Sequence, residues 1–304
     1  MAAEGPALAQ HLRMVLMGRT ITVHGCRIRA IEAGPADGDP VLCVHGLGGW
    51  AENWRETLRA LGDAGFRAVA IDLPGFGQSE VPSRVSYFRG EGALYARLVP
   101  GVLDALGIRH AHVLGHSLGG AVAYMGTVSA PDRVRSLTLV APGGLGLDLP
   151  WPLRLGSVPF VRRLIRRGSR RAARAGLASC FREPRRIPPT LLEECDRYAR
   201  SSVPETLRVL QAGVTLRGLR RDIQSEWLSR AGRYRGPVLV VWGEDDIVLP
   251  ISHARAAAEL FPRAVLERIG DAGHLVMVEQ PEAFHRVLLP YLLAQRAEAV
   301  RSNE

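Results

Sequence analysis

The sequence predicts an α/β protein built on a mostly parallel, doubly wound sheet, and three observations lead to this prediction. Short apolar runs, too short for helices and apolar on both faces, recur along the chain, as expected of buried parallel strands. Segments with helical periodicity lie between them, and this alternation is typical of a doubly wound sheet. Of the 304 residues, 47% are hydrophobic and 23% are charged, which is the balance of a globular chain.

The strands and helices can be assigned in chain order from these patterns. After an amphipathic stretch over residues 8–16, alternating residues from Thr20 to Ala33 predict a hairpin at an edge of the sheet, with its turn at His24 and Gly25. Buried strands are predicted over residues 41–45, 68–72, 111–115, 137–141, 238–242 and 265–269. Amphipathic helices are predicted over residues 53–64, 92–106, 119–129, 252–260 and 281–297.

One long segment interrupts this alternation. From about Gly146 to Arg235 the sequence has helical patterns and several Pro but no convincing buried strand, although it separates two strand candidates that should be neighbours. We interpret the segment as an inserted helical cap. The chain then divides into a first part of the α/β core over residues 1–145, the cap over 146–235 and a second part of the core over 236–304.

Charge is distributed unevenly along the chain. All 39 basic residues are Arg, and with 30 acidic residues they give a net charge of +9. Residues 151–235 contain 20 Arg and 7 acidic residues, so the cap carries +13 while the rest of the chain carries −4. An all-Arg composition in a chain rich in Ala, Gly and Pro is weak evidence for nucleic-acid binding, and no aromatic interleaving accompanies it. No nucleic-acid partner is expected.

The most basic part of the cap has a helical pattern. Pairs of adjacent Arg recur every four residues from Arg162 to Arg174 with apolar residues between them, which on one helix gives a basic face opposite an apolar face. Such a helix could contact an anionic membrane or lipid surface weakly, or guide acidic substrates. The preferred interpretation is an ordinary cap helix whose apolar side covers the pocket. Gly168 weakens the helix in either case.

The sequence has no feature typical of membrane insertion or export. No run approaches the roughly 18 uninterrupted apolar residues that span a bilayer, and the N-terminus has neither a basic n-region nor a small-residue cleavage site. We therefore expect a cytoplasmic protein. The four cysteines are scattered without metal-like spacing, so neither a zinc site nor a disulfide framework is indicated, and no metal or cofactor is expected.

The clearest catalytic signal is the run Gly115-His-Ser117-Leu-Gly119, which ends a predicted strand and opens a predicted helix. A serine in this context lies on a tight, strained turn that exposes its hydroxyl, and the flanking glycines avoid collisions of a Cβ with the neighbouring helix or strand. Because function in an open parallel sheet lies beyond the C-terminal ends of the strands, Ser117 is a candidate nucleophile. The structural alternative is a Gly-rich turn with an incidental Ser.

A serine nucleophile needs a base and a group that orients this base. Asp245 and Asp246 follow the predicted strand over residues 238–242, and His274 lies in a Gly-rich loop after the last predicted strand. Serine, acid and histidine thus occur in the chain order expected of a nucleophile-elbow fold. The run His45-Gly-Leu47-Gly-Gly49 follows the first buried strand, where an amide donor of an oxyanion hole is expected.

Together these motifs resemble those of the α/β-hydrolase fold superfamily, in its capped, serine esterase- and lipase-like branch, where the cap follows the sixth strand. The resemblance covers nearly the whole chain. The spacing of the family's acid motif implies Asp246, rather than Asp245, as the triad acid. The matching runs are His45-Gly-Leu-Gly-Gly49, Asp72-Leu-Pro-Gly-Phe-Gly-Gln-Ser79, Gly115-His-Ser-Leu-Gly-Gly120, Trp242-Gly-Glu-Asp-Asp-Ile-Val-Leu-Pro250 and Gly273-His-Leu-Val-Met-Val-Glu-Gln-Pro281.

The resemblance implies a mechanism and a set of site residues. Ser117 would attack an acyl carbonyl, His274 would transfer the proton, and Asp246 would hold the imidazole tautomer. The backbone N–H groups of Leu47 and Leu118 would form the oxyanion hole. The residues expected to line the substrate pocket are Gly46, Gly48, Trp50, His116 and Val248.

Three other residues are expected to have supporting roles. We expect His45 to support the turn that carries the oxyanion donor and not to titrate in catalysis. Asp72 and the turn over residues 75–77 fit a structural loop. Glu279 is expected to brace the loop that carries His274.

The resemblance also ranks the reactions. Epoxide hydrolases and haloalkane dehalogenases of this fold use Asp as the nucleophile, whereas this chain has Ser117. Carbon–carbon bond hydrolases of ring-fission products typically have Asn before the nucleophile, where this chain has His116. We therefore favour hydrolysis of a small-molecule carboxylic ester with an apolar acyl group. Carbon–carbon bond cleavage, lactone hydrolysis and perhydrolysis are the enzymatic alternatives, and a ligand receptor or scaffold is the non-enzymatic one.

Overall fold

A computed structural model describes residues 17–83, 85–164, 168–261 and 263–301. The amphipathic stretch predicted over residues 8–16 lies outside them. The strands are Met17–Val23 (β1), Cys26–Ala33 (β2), Asp39–Val44 (β3), Phe66–Ile71 (β4), Ala111–His116 (β5), Val134–Val140 (β6), Val214–Thr215 (β7), Gly218–Leu219 (β8), Val238–Gly243 (β9) and Ala264–Ile269 (β10).

Eight of these strands form one sheet in the order β1-β2-β4-β3-β5-β6-β9-β10. The hairpin β1–β2 lies at one edge and pairs antiparallel to β4, whereas all neighbours from β4 to β10 are parallel. The central strands are buried along their length, which is why their sequences are apolar on both faces. The predicted mostly parallel, doubly wound sheet is confirmed.

The edge hairpin turns where the sequence predicts. Val23 pairs with Cys26, so His24 and Gly25 are the two turn residues, with positive φ angles of 49° and 79°. Positive φ at both central positions is the signature of a type I′ turn, whose twist matches that of the paired strands. Local sequence chemistry therefore determines the connection between β1 and β2.

Helices cover both faces of the sheet. They are Arg55–Asp63 (α1), Leu94–Ala105 (α2), Leu118–Ser129 (α3), Trp151–Gly156 (α4), Pro159–Leu164 (α5), Arg170–Ser179 (α6), Pro189–Gly213 (α7), Arg221–Leu228 (α8), His253–Leu260 (α9), Val276–Glu279 (α10) and Pro281–Arg301 (α11). Residues of α2, α3 and α9 share a core cluster with Leu42 and Val44, whereas residues of α1 and α11 cluster with Val41 and Cys43. Successive residues of β3 thus face opposite helical layers.

The segment between β6 and β9 is helical. It forms α4 to α8 together with β7 and β8, which pair only with each other and add no strand to the main sheet. Its longest helix, α7, has 25 residues and contacts α4, α5 and α6. The Tyr198 ring of α7 lies 5.5 Å from the ring of Trp50, so this helix reaches the loop after β3.

The prediction of one continuous basic helix from Arg162 to Arg174 is wrong. Gly168 and Ser169 are not helical, and Ser169 caps a new helix, α6, by accepting a hydrogen bond from the Ala172 N–H at 3.4 Å. A Cβ on Gly168 would lie 1.8 Å from the backbone of α7, so the chain passes close to α7 there. The first four Arg side chains of the basic pattern lie outside the described residues.

Part of the cap's positive charge is matched by acidic partners. Arg174 pairs with Asp196 on α7 at 2.5 Å, and Arg186 pairs with Asp271 in the loop after β10 at 2.7 Å. The second pair links the cap to the core. None of the helices in the described ranges is long and apolar enough to cross a membrane.

Candidate active site

Ser117 occupies a strained turn between β5 and α3. Its φ of 54° and ψ of −119° lie in a region that L residues seldom adopt. Hydrogen bonds maintain this conformation, because the Ser117 N–H donates to the Val140 carbonyl at 3.0 Å and the Ser117 carbonyl accepts from Gly120 and Gly143, both at 2.9 Å. The strained turn predicted from the sequence is therefore confirmed.

The glycines on either side of Ser117 allow close approach of three chain segments. A Cβ on Gly115 would lie 2.2 Å from the Gly119 carbonyl oxygen of α3. A Cβ on Gly119 would lie 2.3 Å from the carbonyl oxygens of both Val44 and His45 at the end of β3. These are impossible contacts with backbone atoms, so the predicted need for glycine at both positions is confirmed.

His274 and Asp246 form a buried hydrogen-bonded pair. The loop after β10 brings the His274 Nδ1 to 2.7 Å from the Asp246 Oδ2, and both side chains are almost fully buried. A carboxylate only accepts hydrogen bonds, so the proton lies on Nδ1 and the neutral ring has an unprotonated Nε2. The ring can therefore accept a proton at Nε2.

The loop after β9 presents only one of its two aspartates to His274. The second carboxylate oxygen of Asp246, Oδ1, accepts from the backbone N–H groups of Val248 at 2.8 Å and Leu249 at 2.9 Å, which fixes the carboxylate plane. Asp245 instead forms a more exposed ion pair with Arg182 at 3.2 Å. The geometry thus places Asp246, and not Asp245, beside the histidine.

His116 lies against His274 on the side of Ser117. The two ring centroids are 4.6 Å apart, and the His116 Nε2–H donates to the His274 carbonyl at 3.0 Å. Burial, and then the neighbouring His274 ring, hold the pKa of His116 well below its usual range. His116 is therefore neutral at physiological pH and positions the loop of His274.

The turn over residues 45–49 adjoins Ser117. A Cβ on Gly46 would lie 3.0 Å from the Ser117 Cβ, so the backbone of this turn and the serine are in contact distance. His45 holds the turn because its Nδ1–H donates to the Gly46 carbonyl at 2.7 Å while its Nε2 accepts from the Leu73 N–H at 2.9 Å. Burial lowers the pKa of His45, so this tautomer stays neutral, in agreement with its predicted supporting role.

The two residues whose backbone N–H groups are predicted to form the oxyanion hole are Leu47 and Leu118. Leu118 is the first residue of α3, so its N–H has no carbonyl partner within the helix. Leu47 lies at the tip of the turn closed by the hydrogen bond from Gly49 N–H to the Gly46 carbonyl at 3.1 Å. Both residues line the cavity described below.

Glu279 connects the His274 loop to the cap. Its carboxylate accepts from the backbone N–H of Gly273 at 2.8 Å and from those of Arg182 at 3.0 Å and Glu183 at 2.9 Å. The Leu275 N–H also donates to the Cys180 carbonyl at 3.0 Å. Glu279 therefore braces the loop, as predicted, and in addition ties it to the start of the cap segment after α6, which the sequence did not indicate.

Asp72 has the structural role expected of it. Its Oδ1 accepts from the Ala51 N–H at 2.7 Å and its Oδ2 accepts from the Gln78 N–H at 2.8 Å, while Arg29 pairs with it at 3.3 Å. A Cβ on Gly77 would lie 2.2 Å from this carboxylate. The loop after β4 therefore folds around Asp72.

A cavity of about 630 Å³ opens over Ser117 between the core and the cap. Ser117 and His274 line it, and so do all five residues expected to form the pocket. One of these five, Trp50, also donates a hydrogen bond from its indole to Glu194 of α7 at 2.9 Å. The wall is mainly apolar. The cap also contributes polar lining residues that the sequence did not single out, because they belong to no motif and follow no strand: Tyr198, Ser202, Thr206, Arg220 and Gln224.

Comparison with known proteins assigns this architecture. A profile of the Alpha/beta hydrolase family matches residues 41–287. The dihydrolipoyllysine-residue acetyltransferase component of the acetoin cleaving system of Cupriavidus necator is 33% identical over 271 residues, which cover 89% of this chain and 67% of that protein. The 2-hydroxy-6-oxo-6-phenylhexa-2,4-dienoate hydrolase of Comamonas testosteroni is 31% identical over 267 residues, which cover 86% of this chain and 89% of that one.

A solved structure gives the same result in three dimensions. The crystal structure of a membrane phospholipase A, described as a bacterial virulence factor, superposes with a TM-score of 0.75 at 26% identity and covers 92% of this chain and 87% of its own. Because a single family profile spans most of the chain and relatives above 30% identity span nearly all of it, the protein belongs to the alpha/beta hydrolase family.

Proposed function

We propose that this protein is a serine hydrolase that cleaves carboxylic esters through an acyl-enzyme intermediate. The observation that carries the proposal is the arrangement of Ser117 on a strained turn at the wall of an apolar cavity, which is also lined by a histidine bound to a buried carboxylate. A nucleophile, a base and a group that orients the base are the parts that acyl transfer by serine requires.

The reaction divides into two balanced steps. In the first, the Ser117 Oγ attacks the ester carbonyl while its proton passes to the unprotonated Nε2 of His274, and Asp246 stabilises the imidazolium. The proton then passes to the alcohol oxygen as the carbon–oxygen bond breaks, which leaves the acyl group on Ser117. In the second, water takes the place of Ser117 as the nucleophile, and the acid is released with the serine regenerated.

The backbone N–H groups of Leu47 and Leu118 are the proposed oxyanion donors. Leu47 follows Gly46, whose backbone lies close to Ser117, and Leu118 directly follows the serine, so both N–H groups belong to residues near the nucleophile. An oxyanion donor in such a site typically contributes about 10²–10³-fold to kcat. The apolar wall of the cavity suits an apolar acyl group.

Hydrolysis of 4-nitrophenyl esters from acetate to palmitate tests the proposal. We expect turnover by the wild-type protein, an optimum that reports the depth of the cavity, and a loss of about 10³–10⁶-fold in kcat for Ser117→Ala. Ser229→Ala, at an exposed serine after α8, is the matched control and should keep wild-type turnover. A wild-type rate in Ser117→Ala would overturn the proposal.

Hydrolysis of a carbon–carbon bond is the second candidate, and the 31% identical dienoate hydrolase favours it. The same nucleophile and base would then act on a ketone of a ring-fission product. His116 stands before the nucleophile, and its Nε2–H is already engaged by the His274 carbonyl. Turnover of 2-hydroxy-6-oxo-6-phenylhexa-2,4-dienoate, together with no turnover of any ester, would replace ester hydrolysis by this reaction.

A further inference from the structure

The cavity has one charged side chain that nothing in the described structure neutralises. Arg220 is the only Arg, Lys, Asp or Glu among the described residues that line it. Its Nε is buried without a hydrogen-bond partner, and no described residue forms an ion pair with its guanidinium group. Arg220 is half-buried, and burial of its Nε removes hydration that a hydrogen-bond partner would replace.

The acidic residues that follow Arg220 along the chain have other partners. Asp222 pairs with Arg89 at 2.5 Å, and Glu226 pairs with Arg230 at 3.0 Å. These pairs leave Arg220, which lines the cavity, without a counter-charge from the acidic residues of α8. The missing partner would therefore be supplied by the molecule that occupies the cavity.

The position of Arg220 is fixed on both sides. Its N–H donates to the Gly213 carbonyl at the end of α7 at 2.9 Å, and its carbonyl accepts from the Gln224 N–H at 3.0 Å. Gln224 also lines the cavity; its Nε2 donates to the Gly144 carbonyl at 3.0 Å and retains a second hydrogen. The backbone of Arg220 is thus held in place before a ligand binds.

A stretch of helix α7 lies between the residue that binds the backbone of Arg220 and the residue nearest the turn beside Ser117. Near the serine, Thr206 adjoins the turn over residues 45–49, because a Cβ on Gly48 would lie 3.8 Å from the Thr206 Oγ1. From Thr206 to Gly213, whose carbonyl holds Arg220, the helix rises by about 10 Å. The backbone of Arg220 is therefore attached about two helical turns along α7 from the residue that adjoins the turn over residues 45–49.

We propose that the substrate carries a carboxylate at the far end of an apolar acyl group and that Arg220 binds this carboxylate. This inference rests on the proposed ester hydrolysis. The planar guanidinium group matches the two oxygens of a carboxylate. A single cation also suits its single negative charge better than a phosphomonoester, which carries about −1.5 to −2 at neutral pH. The apolar wall between the two ends fits a hydrocarbon chain.

Matched pairs of esters test the inference. The substrates are the mono-4-nitrophenyl esters of adipate and suberate, each compared with the uncharged 4-nitrophenyl ester of the monocarboxylic acid of the same length. In the wild-type protein we expect kcat/KM to be about 10–100-fold higher for the charged member of the better pair, as is typical of a charge-assisted hydrogen bond. Equal or lower values for both charged esters would overturn the inference.

Variants of adjacent arginines identify the residue. Arg220→Gln should abolish or reverse the preference, because an apolar cavity without a cation rejects a carboxylate. A circular-dichroism spectrum and a thermal unfolding midpoint like those of the wild-type protein show that this variant is folded. Arg221→Gln, at the exposed neighbouring position, should keep the preference. An unchanged preference in Arg220→Gln would also overturn the assignment.

Binding to an inactive variant separates this inference from the proposed function. Ser117→Ala should bind adipate or suberate more tightly than hexanoate or octanoate in calorimetric titration, and Ser117→Ala combined with Arg220→Gln should lose this difference. This result without any esterase activity would support the carboxylate site and overturn ester hydrolysis. Esterase activity with no such difference in binding would support ester hydrolysis and overturn the carboxylate site.

Discussion

Asp245 and Asp246 are adjacent in sequence, but their carboxylates have different surroundings. Asp246 is buried, bound by the N–H groups of Val248 and Leu249 and by His274, whereas Asp245 is partly exposed and pairs with Arg182. An exposed ion pair contributes little, about 0–1 kcal/mol at most, whereas a buried carboxylate that orients an imidazole determines its tautomer. The two positions therefore form a matched pair for mutation.

We expect Asp246→Asn to lower kcat by about 10³–10⁴-fold with little change in KM, since the amide favours the wrong tautomer of His274. Asp245→Asn should retain kcat within a few-fold. Steady-state kinetics on the best ester of the series measures both. Equal losses in the two variants would show that the hydrogen bond to His274 has no catalytic role.

The crossing of α3 over the end of β3 depends on the absence of a side chain at Gly119. Gly119→Ala would bring a Cβ against two backbone carbonyl oxygens, and this clash is relieved only if the helix moves away from β3. We therefore expect a loss of about 1–3 kcal/mol in the free energy of unfolding. Gly176→Ala is the control, because it lies in the exposed part of α6 with no atom within 4 Å of the new Cβ. It should stabilise the protein by about 0.5–1 kcal/mol. Urea unfolding measures both changes, and similar values for the two would contradict the close crossing.

The last residue of the short helix α10 is Glu279, whose carboxylate holds the His274 loop. Glu279→Gln leaves only one oxygen to accept from three backbone N–H groups, so we expect a loss of about 2–3 kcal/mol in stability and a lower kcat as the His274 loop loosens. Glu282→Gln, on the exposed face of α11, should change neither. Thermal unfolding together with ester kinetics tests this, and a kcat that stays at the wild-type value would limit Glu279 to stability.

For the whole molecule, buried neutral histidines make stability depend on pH. Burial lowers the pKa of His45 and His116 in the folded state, whereas an unfolded histidine titrates near pH 6.5. Below about pH 6.5 the unfolded chain therefore binds protons that the folded chain does not, and the free energy of unfolding falls by up to about 1.4 kcal/mol per pH unit for each such histidine. The stabilisation is complete above this pH and is lost as the pH falls.

Urea unfolding between pH 7.5 and 5.5 measures this slope. His116→Gln should flatten it, because one histidine with a strongly lowered pKa is removed while a side-chain N–H remains to bond the His274 carbonyl. Ser229→Ala, at an exposed position and without loss of a titratable group, should leave the slope as it is. A slope that is the same in His116→Gln and the wild-type protein would contradict a buried neutral His116.

The sheet and the residues at its strand ends could be predicted for a local reason. Buried parallel strands have a distinctive apolar pattern, and the residues that follow them meet at one edge of the sheet, so Ser117, His274 and the acidic loop could be expected together. The choice of Asp246 needed the spacing of a family motif. The basic helix of the cap was predicted wrongly because periodicity does not show the contact of Gly168 with α7, which ends the pattern.

The sequence by itself determined the order of strands and helices in the core, the glycine-flanked turn of Ser117 and the position of the turn in the edge hairpin, because backbone sterics and short-range periodicity act over a few neighbouring residues. Only the tertiary structure decided how the cap lies on the core. The brace from Glu279 to the backbone of Arg182 spans 97 residues of chain, and the Arg220 side chain meets the cavity only after α7 has packed. Contacts between segments so distant along the chain depend on packing in three dimensions, which a local sequence pattern does not predict.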